Sequence, residues 1–245
     1  MKLRVTKSLI PNLFTIMNMF CGFLSVVNSS EGNFYYASVL IILAGIFDAL
    51  DGLAARITKS ASEFGVELDS LSDLVSFGIA PAFLIYKIQL YVFLEIGILI
   101  SAFYLVMAAF RLARFNVQLV GFEKTHFSGL PSPIGAMTVA SFILTFYDNS
   151  IGQFAGKSGF YFVFIAIVIG FLMVSKVRYE AFPKLTKEGL RQNLSLTIFM
   201  ILSVILSIIS EGKAIVFLLL IYIFFGFFRS AVKSTINLFK ESYSK

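Results

Sequence analysis

Charge is scarce in this chain. Only 14% of its 245 residues are Asp, Glu, Lys or Arg, where an ordinary soluble domain carries roughly 25%. That is too little to cover a water-facing surface, which excludes a soluble globular enzyme. Tryptophan is absent, and there is one histidine and one cysteine. A lone cysteine rules out a disulfide framework and any multi-cysteine metal centre. Without tryptophan, the aromatic residues at a membrane–water boundary have to be tyrosine and phenylalanine. What is abundant is apolar: 58% of the chain is hydrophobic, with 29 Phe, and the mean hydropathy is +0.88. Such a composition excludes a disordered chain, and no nucleic-acid partner is expected. It describes an all-α, polytopic membrane helical bundle.

A spanning helix needs about 20 mainly apolar residues, because the hydrocarbon layer is about 30 Å thick and each residue rises about 1.5 Å. Eight stretches qualify: Leu13–Asn28, Tyr35–Ala55, Leu71–Tyr86, Tyr91–Phe110, Gly135–Tyr147, Phe160–Val177, Leu194–Ile209 and Ala214–Phe228. The third and fifth are the weakest. The third begins in a polar run around Asp69 and Asp73, which points to a cavity wall rather than lipid contact. Seventeen of the 20 basic residues fall on one side, from Lys2, Arg4 and Lys7 through Arg56, Arg111 and Arg114 to Lys245. Only Lys87, Lys157 and Lys213 fall on the other. The positive-inside rule therefore predicts cytoplasmic termini and an even number of spans. The net charge of +6 follows this topology and suits contact with anionic headgroups of membrane lipids. The basic start before an apolar run could pass for a signal peptide, but no small-residue cleavage site follows, so a retained first helix is expected. The longest cytoplasmic loops are Asn116–Ser132 and Arg178–Asn193. Chemistry must therefore occur inside the bundle or at its mouth.

Four aspartates stand out between Phe47 and Ala82. Ionisable residues in spans are costly and mark function by default. Asp48, Asp51, Gly52, Ala55 and Arg56 share one helix face by their three- and four-residue spacing. After a short polar turn, Gly65, Asp69, Asp73 and Ser76 share another. Two antiparallel helices can thus turn four carboxylates toward each other, and their repulsion demands a cation between them. Carboxylates without a His or Cys cluster suit Mg2+, Mn2+ or Ca2+ rather than zinc or copper. Two such ions form the clamp used in displacement at phosphorus. Gly52 and Gly65 leave room for a ligand, and Arg56 offers a guanidinium fork for phosphate. Single aspartates at helix ends serve as caps or surface ion pairs; four on matched faces with two glycines and an arginine do not fit that role.

The run Asp48-x2-Asp51-Gly52-x2-Ala55-Arg56-x8-Gly65-x3-Asp69-x3-Asp73 resembles the signature of the CDP-alcohol phosphatidyltransferase family at every position. The resemblance covers roughly the first 180 residues. It implies a six-helix catalytic core over 1–180 and an additional helix pair over 181–245 in the same membrane domain. Glu63 to Ala82, Arg111 to Asn116 and Phe127 to Pro133 resemble the branch of the family that uses serine as acceptor. On this resemblance Asp48, Asp51 and Asp69 hold divalent metal, and Asp73 is both ligand and general base. The implied cofactor is a pair of Mg2+ or Mn2+ ions, with Ca2+ as an alternative occupant. Gly52, Arg56, Ser62 and Gly65 match positions lining the CDP portion of CDP-diacylglycerol, and Asn12 resembles a segment closing over the nucleotide. Thr15 and Asn18 are weaker candidates on nearly the same face. The implied reaction joins the phosphatidyl group to the hydroxyl of L-serine and releases CMP, at a site facing the cytoplasm in the cell's inner membrane. Homodimers are common in the family, and a Phe-rich surface suits one.

An acceptor such as serine is recognised by its carboxylate and ammonium. Arg111 and Arg114, at the cytoplasmic end of the fourth span, are the candidates for the carboxylate, although flanking charge explains them equally well. Asn116, Arg178 and Tyr179 are further acceptor-side candidates, while His126 reads as an ordinary loop residue. Gly22, Gly45, Gly97 and Gly170 read as contacts for close helix packing. Three alternatives stand beside this reading. The same fold can serve another acceptor, such as glycerol 3-phosphate or inositol phosphate, or an archaeal ether-lipid donor. An ion-coupled transporter is the third; it has no need of an arginine fork, and the chain shows no inverted repeat.

Overall fold

The computed structural model describes residues 8–60, 62–120, 129–177, 179, 206, 209–210 and 212–243. Helices α1 (Leu9–Ser30) and α2 (Phe34–Thr58) form an antiparallel hairpin. Its turn passes through Gly32 at φ +83°, a left-handed backbone that glycine adopts without strain. Ser25 Oγ donates to the Ala37 carbonyl at 2.9 Å across the pair. Next comes α3 (Glu63–Asp73), which runs on through a π-helical turn (Leu74–Ile79), α4 (Ala80–Ile85), a second π-helical turn (Tyr86–Leu90) and a 3-10 turn (Tyr91–Phe93). The track breaks at Leu94, at φ +47° and ψ −123°, and the chain reverses into α5 (Leu94–Val120).

The reversal is tight and antiparallel. A Cβ on Gly97 would run into the Leu90 carbonyl, while one on Gly78 would lie 3.2 Å from Leu105 and 3.7 Å from Ala108. Further along, Ser70 Oγ donates to Asn116 Oδ1 at 3.0 Å. This registry carries Arg111 opposite the Asp73 region. Helices α6 (Ser132–Phe146) and α7 (Ser158–Val174) follow, joined by a two-stranded hairpin of β1 (Tyr147–Asp148) and β2 (Gln153–Phe154). The last described helix is α8 (Ala214–Tyr243).

Hydropathy misplaced several helix ends. The third span was expected from Leu71, but α3 starts at Glu63 because Ser62 caps it, its Oγ accepting the Gly65 N–H at 3.1 Å. The fourth was expected to end at Phe110, yet α5 continues to Val120, so Arg111, Arg114 and Asn116 are helical residues. Leu9–Ser30, Phe34–Thr58 and the track Glu63–Val117 are long and apolar enough to cross a membrane, and Ser132–Phe146, Ser158–Val174 and Ala214–Ser230 are shorter apolar helices. The chain is a helical membrane protein. The expected span Leu194–Ile209 lies outside the described residues apart from Leu206 and Ile209, and His126 and Arg178 lie outside them too.

Residue size is sorted inside out. Ala37, Ala44, Ala80, Ala108, Ala136 and Ala140 are fully buried, while Phe160, Phe164, Phe171, Phe224 and Phe225 point outward. In lipid no hydrophobic force drives helices together, so small residues at the contacts and bulky ones toward the acyl chains are the stable arrangement. The four expected packing glycines follow it: Gly22 meets Ser76, Gly45 meets Met137, Gly97 meets Leu90 and Gly170 meets Phe103. Phe142, Phe146, Phe154 and Phe162 close one end of the bundle as an aromatic cluster. At the opposite end the starts of α1, α3 and α6 meet the ends of α2, α5 and α7.

Candidate active site

Helices α1 and α3 run parallel, latched by two hydroxyls. Ser72 Oγ donates to the Thr15 carbonyl at 3.0 Å, and Ser76 Oγ donates to the Asn18 carbonyl at 2.8 Å. Helix α2 packs antiparallel to α1, so its last turns face the first turns of α3. Carboxylate oxygens of Asp48, Asp51 and Asp69 accordingly lie within 4.8 Å of one another. A cation bound at about 2.0–2.6 Å from its oxygen ligands holds any two of them no more than about 5 Å apart, so the spacing fits. Asp69 Oδ1 is buried with no hydrogen-bond partner. A charged oxygen left in that state is costly unless a cation meets it, and the donors are all hard oxygens. The residues therefore fit a divalent ion.

Asp73 is buried beside this group rather than among the three converging oxygens. Its charged neighbours are Asp48, Asp69 and Asp51, opposed by Arg111 from α5. Helix α1 supplies polar contacts to both aspartate pairs. Thr15 Oγ1 lies 2.9 Å from Asp51 Oδ2 and 3.1 Å from the Pro11 carbonyl, its single proton serving both acceptors. Asn18 Nδ2 donates to Asp73 Oδ1 at 3.4 Å.

The nucleotide-side candidates gather where α1 and α3 begin. A Cβ on Gly65 would lie 3.2 Å from Ser62 Oγ and 3.6 Å from Asn12 Oδ1, so these three residues form one small patch. A Cβ on Gly52 would meet nothing within 4 Å, which leaves open space beside the carboxylates. Arg56 is exposed one turn further on, its Nε donating to the Gly52 carbonyl at 2.9 Å.

The acceptor-side candidates divide. Arg111 Nη1 donates to Ser132 Oγ at 2.6 Å, its guanidinium lies 5.9 Å from the Phe115 ring centre, and Asp73 and Asp48 are its acidic neighbours. Arg114 instead reaches the end of α7, donating from Nη1 to the Val174 carbonyl at 3.0 Å and from Nη2 to those of Met173 and Ser175 at 3.4 Å. A cation there complements the unpaired carbonyls of a helix C-terminus. Asn116 accepts from Ser70 on α3. Tyr179 is buried, its hydroxyl donating to the Ile223 carbonyl of α8 at 3.5 Å. Gly129, at φ +97°, donates its N–H to the Val177 carbonyl at 2.8 Å, and the Leu130 N–H reaches the Leu172 carbonyl at 2.9 Å. These two bonds seat the segment that leads into Ser132.

Ser72, Ser76 and Ser132 hold the site together, and sequence reasoning did not assign them these roles. Ser72 and Ser76 are spaced one helical turn apart around Asp73, which was the available signal. Ser132 lies in the Phe127 to Pro133 stretch that resembles the serine-acceptor branch, but nothing singled it out before the fold brought it to Arg111.

Fold and site together define an integral-membrane helical protein with a hard-ligand carboxylate centre at one end of its bundle. Residues 8–174 match the family model of the CDP-alcohol phosphatidyltransferases, and the chain belongs to that family. It is similar to the CDP-diacylglycerol–serine O-phosphatidyltransferase of Helicobacter pylori strain 26695, with 34% identity over 221 residues and 90% of each chain covered. The Bacillus subtilis protein of the same name is 37% identical over 182 residues, spanning 74% of this chain and 95% of that one. An archaetidylserine synthase of Methanothermobacter thermautotrophicus is 39% identical over 172 residues and 69% of each chain.

Proposed function

We propose that the chain is a CDP-diacylglycerol–serine O-phosphatidyltransferase, which transfers the phosphatidyl group of CDP-diacylglycerol to the hydroxyl of L-serine. The observation that carries this reading is the convergence of Asp48, Asp51 and Asp69 beside the open space at Gly52, in a chain whose relatives bear that name over most of its length. Asp48, Asp51 and Asp69 would hold the metal, two Mg2+ or Mn2+ ions with Ca2+ as an alternative occupant, and Asp73 would complete the set. Such ions, when bound, neutralise the pyrophosphate of the donor and the charge that develops on the leaving CMP.

The remaining chemistry belongs to the side chains. Asn12, Ser62 and Gly65 seat the cytidine end of the donor, with Arg56 against phosphate. Asp73 takes the proton of the serine hydroxyl, whose oxygen forms the new bond to the lipid-bearing phosphorus as the bond to CMP breaks. Arg111, held by Ser132 over the carboxylates, pairs with the acceptor's carboxylate; Arg114, Asn116 and Arg178 are the lesser candidates. The donor's acyl chains remain in the bilayer and its headgroup meets the site at the mouth of the bundle. Eight spans with cytoplasmic termini, an active site facing the cytoplasm at the inner membrane, and a homodimer belong to the same proposal.

The archaetidylserine synthase among the relatives favours testing a second donor class, the archaeal ether lipid. The deciding assay supplies purified protein with Mn2+ or Mg2+, a CDP-linked diacyl or dialkyl lipid, and labelled serine, glycerol 3-phosphate or inositol phosphate. CMP release and lipid labelling are expected with serine. Release only with another acceptor overturns the acceptor assignment, and faster turnover of the ether donor overturns the diacyl one.

A further inference from the structure

Helix α1 is apolar along most of its length, yet it buries Asn18 completely. The two ends of that amide are treated differently. Nδ2 donates to Asp73 Oδ1 at 3.4 Å, while Oδ1 is buried with no hydrogen-bond partner. An unpartnered buried carbonyl is a cost that a leucine at the same place would not carry. What the residue contributes at this place is therefore its donor rather than packing. Turning the amide over would set its oxygen against a carboxylate, so the electrostatics of Asp73 fix which way it points.

The backbone holds this contact in place. Ser72 and Ser76, on either side of Asp73 in the sequence, bind the carbonyls of Thr15 and Asn18 at 3.0 and 2.8 Å. The stretch bearing Asp73 is thus latched to the stretch bearing Asn18. A Cβ on Gly22 would run into the Ser76 backbone, so the close approach of the helices depends on glycine there. The π-helical turn begins at Leu74, the residue after Asp73, and such turns recur at functional sites because they re-aim side chains at a cost in helix geometry. Asp73 is bracketed by Arg111 from α5 and Asn18 from α1.

We propose that Asn18 is a positioning residue for Asp73: its amide N–H holds one carboxylate oxygen so that the other faces the incoming hydroxyl. This rests on Asp73 serving as the base in the proposed reaction. Asn18 touches neither substrate nor metal in this role. Its loss therefore lowers turnover without weakening the binding of donor or ion.

The test compares Asn18→Leu and Asn18→Gln with the parent protein in detergent. It measures kcat, KM for CDP-diacylglycerol, and Mn2+ affinity by calorimetry without substrate. Asn18→Leu is expected to lower kcat about 10- to 100-fold, the range for a lost hydrogen bond to a charged, positioned group, with KM and Mn2+ affinity within about threefold of the parent. Asn18→Gln, which keeps the amide donor, is expected to recover most of that loss. A parental kcat in Asn18→Leu overturns the inference, as does a fall in kcat that only parallels a fall in Mn2+ affinity. A Gln variant no better than Leu overturns it too. If Asn18→Leu does not fold, as judged by the loss of a cooperative melt, Asn18→Ala is read in its place on the same criteria. Asp73→Asn separates the two levels: full activity in that variant removes the base assignment, whereas an inactive Asp73→Asn with an unaffected Asn18→Leu removes only the positioning role.

Discussion

Each aspartate of the cluster is held differently, and the differences predict different losses. Asp69 carries a buried oxygen with no partner, so it has most to gain from a cation. Asp69→Asn should weaken divalent binding by tenfold or more on the order expected for removing a charged ligand. Bound ligand stabilises by about 2.7 kcal/mol at 100 times its Kd and by about half that at 10 times, so Mn2+ should raise the melting temperature of Asp69→Asn by no more than about half the rise seen in the parent. An equal rise in both would remove Asp69 from the ligand set. Asp73→Asn, by contrast, should abolish turnover while the donor still binds. Asp51 is supported by the Thr15 hydroxyl at 2.9 Å, and hydrogen bonds to charged groups contribute about 1.5–3 kcal/mol. Thr15→Val keeps the shape of the side chain and removes that bond. The metal concentration for half-maximal activity should then rise roughly tenfold, with kcat at saturating metal close to the parent's. A lower kcat that excess metal does not restore would mean that Thr15 acts on something other than Asp51.

At the scale of helices, the site depends on how closely α1 approaches α3. Gly22 stands where any side chain would strike Ser76, and Ser76 is one of the two latches between these helices. Overpacking of this kind typically costs 1–3 kcal/mol. Gly22→Val should lower the melting temperature in detergent and reduce turnover together, because it separates Thr15 and Asn18 from the aspartates they contact. Unchanged activity and melting would show that the approach can relax without consequence. Gly22 was legible as a packing glycine, and the two aspartate faces were legible from spacing alone, because helical periodicity projects directly onto a face. The π-helical turns, the reversal at Leu94 and the seating of Ser132 were not. They depend on contacts that helical periodicity does not register, such as Gly97 against Leu90 across the reversal and Arg111 against Ser132. The helix ends were misjudged for a related reason. Hydropathy registers lipid-facing residues but not the Ser62 cap or the continuation of α5 beneath Arg111 and Arg114.

Across the whole molecule, the placement of charge links the site to the membrane. Among the described residues, Arg56, Lys59, Arg111, Arg114 and Lys176 lie at the end of the bundle where the aspartates converge. Lys87 and Lys157 lie toward the other end, beside the reversal at Leu94 and the β-hairpin. The orientation we propose from the positive-inside rule puts the carboxylate end against the cytoplasm, where serine and a released nucleotide are water-soluble partners. This orientation is open to a direct test, because the native cysteine is unique and Cys21 is 3% exposed. In a Cys21→Ser background, a single cysteine is placed either at Asn149, exposed in the turn between β1 and β2, or at Lys59, exposed just beyond α2. A membrane-impermeant maleimide added to intact cells should label Asn149→Cys, and should label Lys59→Cys only after the membrane is opened. The reverse pattern would put the aspartates on the outer face, away from the cytoplasmic pool of acceptor. It would also mean that the basic residues at this end serve the reaction or an anionic partner rather than topology. Labelling of both positions in intact cells would mean that the chain inserts in two orientations, which the strong asymmetry of its lysines and arginines argues against.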